Sequence, residues 1–278
     1  MIAIRAAACT SPCAARTSDR TNPLVFPMMK VRLDKLVLAR GLAPSRERAQ
    51  ALILAGRVLV NEQKLEKPGI AVSEDASLRL LGDDLPYVSR GGLKLERAIQ
   101  HWNINLLQKT CLDVGASTGG FTDCMLQHGA VHVVAVDTGY GQIDARLRQD
   151  SRVELLEKTN ARYLRAEQLS HAVDFFAIDV SFISVTLILP AVIGALRERL
   201  SPGSGKVEGV ILVKPQFEAG RERVGKRGIV RDETVQLDTV ERVKHTVGRL
   251  GGIEVEVIDS PILGAEGNRE FLLHSRWR

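Results

Sequence analysis

Cysteine is scarce: four residues in 278, with no C-x-x-C pair. That excludes a disulfide-built scaffold. Cys111 and Cys124 fall beside or inside predicted core elements, where a free thiol packs as a small hydrophobe. Such usage suits a reducing cytoplasm. Unbroken apolar runs are also lacking. Residues 174–196 read DFFAIDVSFISVTLILPAVIGAL, but Asp179 lies inside the run, and Pro190 and Gly194 interrupt it. A buried strand, loop and helix account for it better than a membrane span. Charge of one sign is not in large excess: 38 Lys and Arg against 33 Asp and Glu leave +5. That permits a nucleic-acid partner without demanding one. With 45% hydrophobic and 26% charged residues, the composition excludes a wholly disordered or fibrous chain. The length allows one large domain or two unequal ones.

Residues 1–27 carry a single acid, Asp19, and no apolar core long enough for a secretory signal. They read as a disordered or non-native N-terminal extension, although a tail rich in Arg is also compatible with an organellar transit peptide. Residues 28–82 predict a small α/β block. Leu33, Leu36 and Val37 share one helix face, and Gly41 ends that helix. Ser45 is a candidate N-cap for a second helix, in which Ala49, Leu52 and Ile53 repeat the spacing before Gly56. Short strands are expected at 58–60, 70–72 and 77–81, and a linker at 83–90. From 91 to 278, strands at 110–114, 131–137, 153–156, 174–179, 208–213, 253–259 and 270–274 alternate with helices at 91–101, 119–128, 186–199 and 232–248. This pattern predicts an α/β domain with a mostly parallel seven-stranded sheet covered on both faces. The last two strands are close in sequence, so one of them is free to run antiparallel.

The segment CLDVGASTGGFTDCML carries Asp113 on a strand that runs into Gly115, Gly119 and Gly120, then into a helix. Glycines there let the backbone turn tightly and approach a ligand. The spacing G-x-x-x-G-G departs from a dinucleotide fingerprint, and no Gly-Lys-Ser/Thr follows as in a phosphate loop. Asp137 lies 24 residues beyond Asp113, near the position where Rossmann-type sheets place an acid on ribose hydroxyls. A glycine loop alone is equally well explained as structure; joined to Asp137 it favours a cofactor. The segment resembles the first motif of S-adenosylmethionine-dependent methyltransferases. The resemblance implies that Asp113, Gly115, Ala116, Ser117, Gly119, Gly120 and Phe121 surround the cofactor, with Asp137, Asn160 and Asp179 completing the set.

Three polar residues stand at strand ends in apolar company: Asp179 after AI, Lys214 after ILV, and Glu270 before FLL. A Lys closing a buried strand is costly unless paired or functional. An ion pair that only stabilises the sheet edge is the simpler reading of Asp179 and Lys214 alone. Lys94, in VSRGGLKLERAI, extends the pattern. Lys94, Asp179, Lys214 and Glu270 resemble the Lys–Asp–Lys–Glu tetrad of FtsJ-type 2′-O-ribose methyltransferases. Residues 30–278 as a whole resemble the TlyA family, also called hemolysin A-like. The matching stretches are RLDKLVLARGLAPSRERAQALILAGRVLVN, YVSRGGLKLERA, LDVGASTGGFTDCMLQHGA, VDTGYGQ, IDVSFISV, VKPQFE and NREFLLH. This resemblance implies a Rossmann-like, FtsJ-like methyltransferase domain over 91–278, S-adenosylmethionine as cofactor, and a cytidine ribose in ribosomal RNA as substrate.

A ribose hydroxyl is a poor nucleophile and must lose its proton as it attacks a sulfonium methyl. A lysine serves as base only where a nearby cation or loss of water favours its neutral form. By resemblance Lys214 is the base, Asp179 orients and balances it, Lys94 holds the ribose or the developing oxyanion, and Glu270 positions Lys94 or the hydroxyl. The small block resembles the S-four-type RNA-binding domain. Residues 28–67 hold nine Lys and Arg against four acids, including Arg32, Lys35, Arg40, Arg46, Arg48, Arg57 and Lys64. A solvated helix surface would look similar by charge alone, but the resemblance makes this an RNA-phosphate face. The block lacks aromatics, which points to shape and phosphate recognition rather than stacking. A second basic stretch, RERVGKRGIVR at 221–231, reads as a loop beside the active site. The expected partner is ribosomal RNA or a ribosomal subunit, with no membrane and no metal. Two rivals remain: a pore-forming hemolysin, and a ribosome-assembly factor without catalysis.

Overall fold

A computed structural model describes residues 30–81, 86–199, 206–264 and 267–278. The expectations for residues 1–27, Asp83 and Asp84 lie outside the described residues. The chain divides between Asp84 and Leu85 into two compact units.

The smaller unit contains β1 (Lys30–Arg32), α1 (Leu33–Ala39), α2 (Arg46–Leu54), β2 (Val58–Val60), β3 (Gln63–Lys64), β4 (Ala71–Ser73) and β5 (Leu78–Leu80). Leu33, Leu36 and Val37 of α1 are buried with Ala49, Leu52 and Ile53 of α2, as the helical spacing requires. The Ser45 hydroxyl accepts from Arg48 N at 3.2 Å, so it is the N-cap of α2. β2 is the centre of a three-stranded antiparallel sheet, β3-β2-β5. Asn61 and Glu62 both have positive φ, at 50° and 64°, the two-residue turn that matches strand twist between β2 and β3. β1 and β4 pair separately. β1 and β3 carry too few residues to show a period, which is why sequence pattern passes over them.

One buried acid organises this unit's surface. Asp34, in the first turn of α1, is wholly inaccessible. Its carboxylate accepts from Arg32 at 3.0 and 2.9 Å, from Arg46 Nε at 3.0 Å, and from the Gln50 amide at 3.0 Å. The Arg32 guanidinium above all holds this carboxyl well below the usual carboxylate range.

The larger unit runs α3 (Gly91–Trp102), β6 (Thr110–Val114), α4 (Gly120–Gln127), β7 (His132–Val136), α5 (Ala145–Arg148), β8 (Val153–Leu156), β9 (Phe175–Ile178), α6 (Leu189–Arg199), β10 (Val207–Val213), α7 (Pro215–Glu218), α8 (Glu233–Arg249), β11 (Ile253–Asp259) and β12 (Phe271–Trp277). Its seven-stranded sheet has the order β11-β12-β10-β9-β6-β7-β8. β8, β7, β6, β9 and β10 are mutually parallel. β12 is the reversed strand, antiparallel to both β10 and β11.

Alternation along the strands fills both faces of the sheet. Leu112, Val134, Phe176, Ile178, Ile211 and Trp277 share one core. Cys111, Val133, Phe175, Ala177, Val210 and Leu212 share the other. Every residue of β10 is buried, as expected for a central parallel strand. Complete burial of a side chain such as Phe175 or Phe176 stabilises the fold by about 2–3 kcal/mol. Residues 174–196 form β9, a loop and α6, with the apolar residues of β9 wholly buried. Among the described residues, no helix is long and apolar enough to cross a membrane. The stretch 86–90 belongs to this unit: Tyr87 is buried in its core, and Val88 N donates to Asp123 Oδ2 at 2.8 Å.

Candidate active site

The strand order reverses between β6 and β9. The chain leaves β6 towards β7 on one side and leaves β9 towards β10 on the other, which opens a crevice at the strands' carboxyl ends. Gly115 follows β6 and Asp179 follows β9. A Cβ on Gly115 would lie 2.4 Å from the Asp179 carbonyl oxygen, and its φ of +88° is one that L side chains rarely adopt. Only glycine lets these two strand ends come together. Gly119, with φ +95°, then turns the chain into α4.

Two cavities meet at this junction. One, of about 450 Å³, is lined by Gly115, Ser117, Asp137, Asn160 and Asp179. The other, of about 300 Å³, is lined by Lys94, Gly115, Ala116, Ser117, Gly120, Phe121, Asp179 and Lys214. Gly115, Ser117, Asp179 and Ser181 border both. Asp137 is held in place by backbone donors, Ser117 N at 2.8 Å and Gly139 N at 2.6 Å. The Asn160 side-chain oxygen accepts from Arg162 N at 3.0 Å. Gly119 faces away from both cavities, against Ile143 and Leu147. Asp113 borders neither cavity. It is wholly buried beneath the loop, where Oδ2 accepts from Thr122 Oγ1 at 2.6 Å and Oδ1 has no partner. Burial pushes its carboxyl up to about 7.

The four tetrad residues converge from four segments. Lys94 Nζ lies 2.6 Å from Glu270 Oε2 and 4.0 Å from Asp179 Oδ2. Lys214 Nζ lies 2.5 Å from Asp179 Oδ1. Asp179 is thus shared by Lys94 and Lys214. Lys94 sits on α3 one position before Leu95, so the helix that buries Leu95, Ala98 and Ile99 carries the lysine to the cleft rim. Glu270 is 3% exposed, and a Cβ on Gly264 would lie 2.0 Å from its Oε1. A side chain there would displace the carboxylate from Lys94.

Several residues beside this cluster escape sequence reasoning. Ser181 Oγ accepts from Lys214 Nζ at 2.9 Å. Phe182 is 92% exposed, has φ +67°, and lies 5.4 Å from the Phe217 ring, centroid to centroid. Glu218 ties the loop after Asp179 to the turn after Lys214: it accepts from Val185 N at 2.7 Å and from Ser184 Oγ at 2.5 Å. Burial pushes the Glu218 carboxyl above its ordinary value. The one available signal is position, since each lies within four residues of Asp179 or Lys214, or bonds to a residue near them.

Of the seven basic residues singled out in the smaller unit, Arg32, Lys35, Arg40, Arg46 and Lys64 are exposed, whereas Arg48 and Arg57 are half-buried. Arg40 donates to Glu74 O and Arg57 to Leu81 O, both at 2.9 Å. Lys64 pairs with Glu66 at 3.0 Å. In the larger unit, Arg223, Lys226, Arg227 and Arg231 border a separate cavity of about 550 Å³.

The FtsJ-like methyltransferase family matches residues 87–277, and the S4 domain matches residues 31–78. The chain is 50% identical over 249 residues to the Bacillus subtilis protein YqxC, covering 89% of this chain and 86% of that one. It is 42% identical over 248 residues to the 16S/23S rRNA (cytidine-2′-O)-methyltransferase TlyA of Mycobacterium tuberculosis, covering 89% and 90%. It is 40% identical over 245 residues to Hemolysin A of Brachyspira hyodysenteriae, covering 88% and 99%. A solved Streptococcus thermophilus protein described as a hemolysin shares 43% identity and a TM-score of 0.68 over 90% of each chain. A Rossmann-like sheet with its cleft at the switch point, preceded by an S4 unit and matched along most of its length, places the chain in the FtsJ-like methyltransferase family, among the TlyA and hemolysin A-like proteins.

Proposed function

We propose that the chain transfers a methyl group from S-adenosylmethionine to the 2′-hydroxyl of a cytidine ribose in ribosomal RNA. The observation that carries this reading is the meeting of two cavities at Asp179, with Lys94, Lys214 and Glu270 gathered on it.

The residues present fit the cofactor. Gly115 lines both cavities, and Asp137 and Asn160 border the larger of the two, where ribose and adenine are to be held. When bound, the cofactor supplies an electrophilic sulfonium methyl. The tetrad supplies the rest. Lys214 takes the proton of the ribose hydroxyl as the oxygen attacks the methyl group. Asp179 fixes Lys214 in position and balances the charge that results. Lys94, held by Glu270, stabilises the oxygen as it becomes anionic. Much of the acceleration comes from alignment, because both cavities open onto the same carboxylate.

The RNA is held by phosphate contacts. Arg32, Lys35, Arg40, Arg46, Arg48, Arg57 and Lys64 of the smaller unit, with the basic stretch at 221–231, supply the charge. The exposed Phe182 beside Asp179 offers an aromatic face for a nucleobase lifted from its stack.

Methyl transfer from labelled S-adenosylmethionine to isolated ribosomal subunits, followed by nuclease mapping, tests the proposal. A 2′-O-methylcytidine at a defined position is expected. Absence of transfer to both subunits, with RNA still bound, would favour a non-catalytic assembly factor instead.

A further inference from the structure

At the amino-terminal ends of the parallel strands, away from the cleft, three side chains from three segments converge. His132 opens β7, Glu154 is the second residue of edge strand β8, and His171 lies in the loop before β9. Val134 stands opposite Glu154 in the β7–β8 ladder, so His132 and Glu154 are diagonal neighbours on one face. His132 Nε2 lies 3.2 Å from Glu154 Oε2. The two imidazole rings lie 4.7 Å apart, centroid to centroid. A nitrogen from each ring and an oxygen of Glu154 all fall within 4.8 Å of one another. The Ser170 hydroxyl bonds both to Glu154 Oε2 and, at 2.7 Å, to His171 Nδ1.

A simple ion pair explains His132 and Glu154 but does not involve the second imidazole, which Ser170 holds beside them. Two imidazoles in the cationic form would repel. Two neutral imidazoles and one carboxylate form a donor set suited to zinc and similar borderline divalent cations, with a fourth position left for water. We infer that His132, Glu154 and His171 bind such a cation, zinc in the first instance, a site that the sequence reading did not anticipate. A four-coordinate ion with bonds of ~2.1 Å holds its ligand atoms about 3.4 Å apart. The His132–Glu154 separation is already close to that. His171, exposed on its loop, closes the remainder by no more than about 1.4 Å from the present 4.8 Å limit. Ser170 orients the carboxylate and the imidazole together, as outer hydrogen-bond partners of metal ligands do. The ion would tie edge strand β8, which has one strand neighbour, to the segment leading into β9.

Calorimetric titration of the chelator-treated full chain with zinc alone, and optical titration with cobalt(II), test the inference independently of methyl transfer. One equivalent per chain is expected, with Kd in about the micromolar range. His132→Gln and His171→Gln are each expected to weaken binding by at least ~10-fold, on the scale of a disrupted metal shell. His245→Gln, at an exposed position of α8, is expected to leave it unchanged. Equal binding by wild type and the His132→Gln/His171→Gln double variant would overturn the inference, as would no saturable binding by wild type. Should His132→Gln disturb the strand by circular dichroism, the loop variant His171→Gln carries the same comparison.

Discussion

Asp34 in the smaller unit and Asp113 in the larger are both wholly buried, yet their surroundings drive them in opposite directions. Asp34 meets two arginines and an amide, and remains an anion. Asp113, on β6 within the apolar sheet, meets a single threonine side chain, and burial raises it to about 7. The difference teaches what each unit is built for. In the smaller unit a buried anion gathers the guanidinium groups of two arginines exposed at the surface. In the larger unit the buried Asp113 has no cationic partner, whereas the charges of the cleft pair with one another at the switch point.

Changes in one unit should therefore leave the chemistry of the other intact, and this separation can be broken or sharpened by experiment. The largest effect is expected at the cleft. Lys214→Ala should lower methyl transfer by about 10²–10⁴-fold while cofactor and RNA affinity stay nearly unchanged. Near-normal transfer by this variant would remove the tetrad's base from Lys214.

The next effect is on stability against pH. Unfolded Asp113 loses its proton near 3.8, but the folded carboxyl keeps it until about 7. The folded state therefore loses stability as pH rises through that window and is level above it. The full span corresponds to something on the order of 4 kcal/mol. Asp113→Asn should remove this dependence. The melting temperature of wild type minus that of the variant should fall from pH 5 to pH 8, and a flat difference would mean Asp113 is ionised throughout.

Asp34→Ala should cost about 1–3 kcal/mol in urea unfolding of the smaller unit, because Arg32, Arg46 and Gln50 lose their shared acceptor. RNA affinity should drop with it, measured by filter binding, while cofactor affinity holds. The pH sign is opposite to that of Asp113: the Asp34 contribution is present above the ordinary carboxylate range and is lost as pH falls below it. The smallest effect is expected at single exposed cations. Lys35→Ala and Lys64→Ala should each reduce the salt dependence of RNA binding by roughly one counterion. An unchanged slope for both would move the phosphate face elsewhere.

The strands of the larger unit were legible because each is a short apolar or alternating run between turn signals. Strands 110–114, 153–156 and 253–259 fall where the pattern places them. Asp179 and Lys214 stood out because a charge closing such a run has few structural explanations. Ser181 and Glu218 did not, because a serine or glutamate in a loop is unremarkable until its partner is known. The same applies to His132, Glu154 and His171, which are separated by 22 and 17 positions and meet only through the β7–β8 ladder and the loop behind it.

Local order thus determined the alternation of strands and helices, the glycine turn after β6, the helix faces and the N-cap at Ser45, since each depends on residues within a few positions. The tertiary structure decided which strand ends lie side by side, and so which charges pair. It placed Asp179 between two lysines that are 120 residues apart, and it withdrew Asp113 beneath the loop that its motif suggested it would serve. Those outcomes depend on strand order and burial, and neither is written in any short window of the chain.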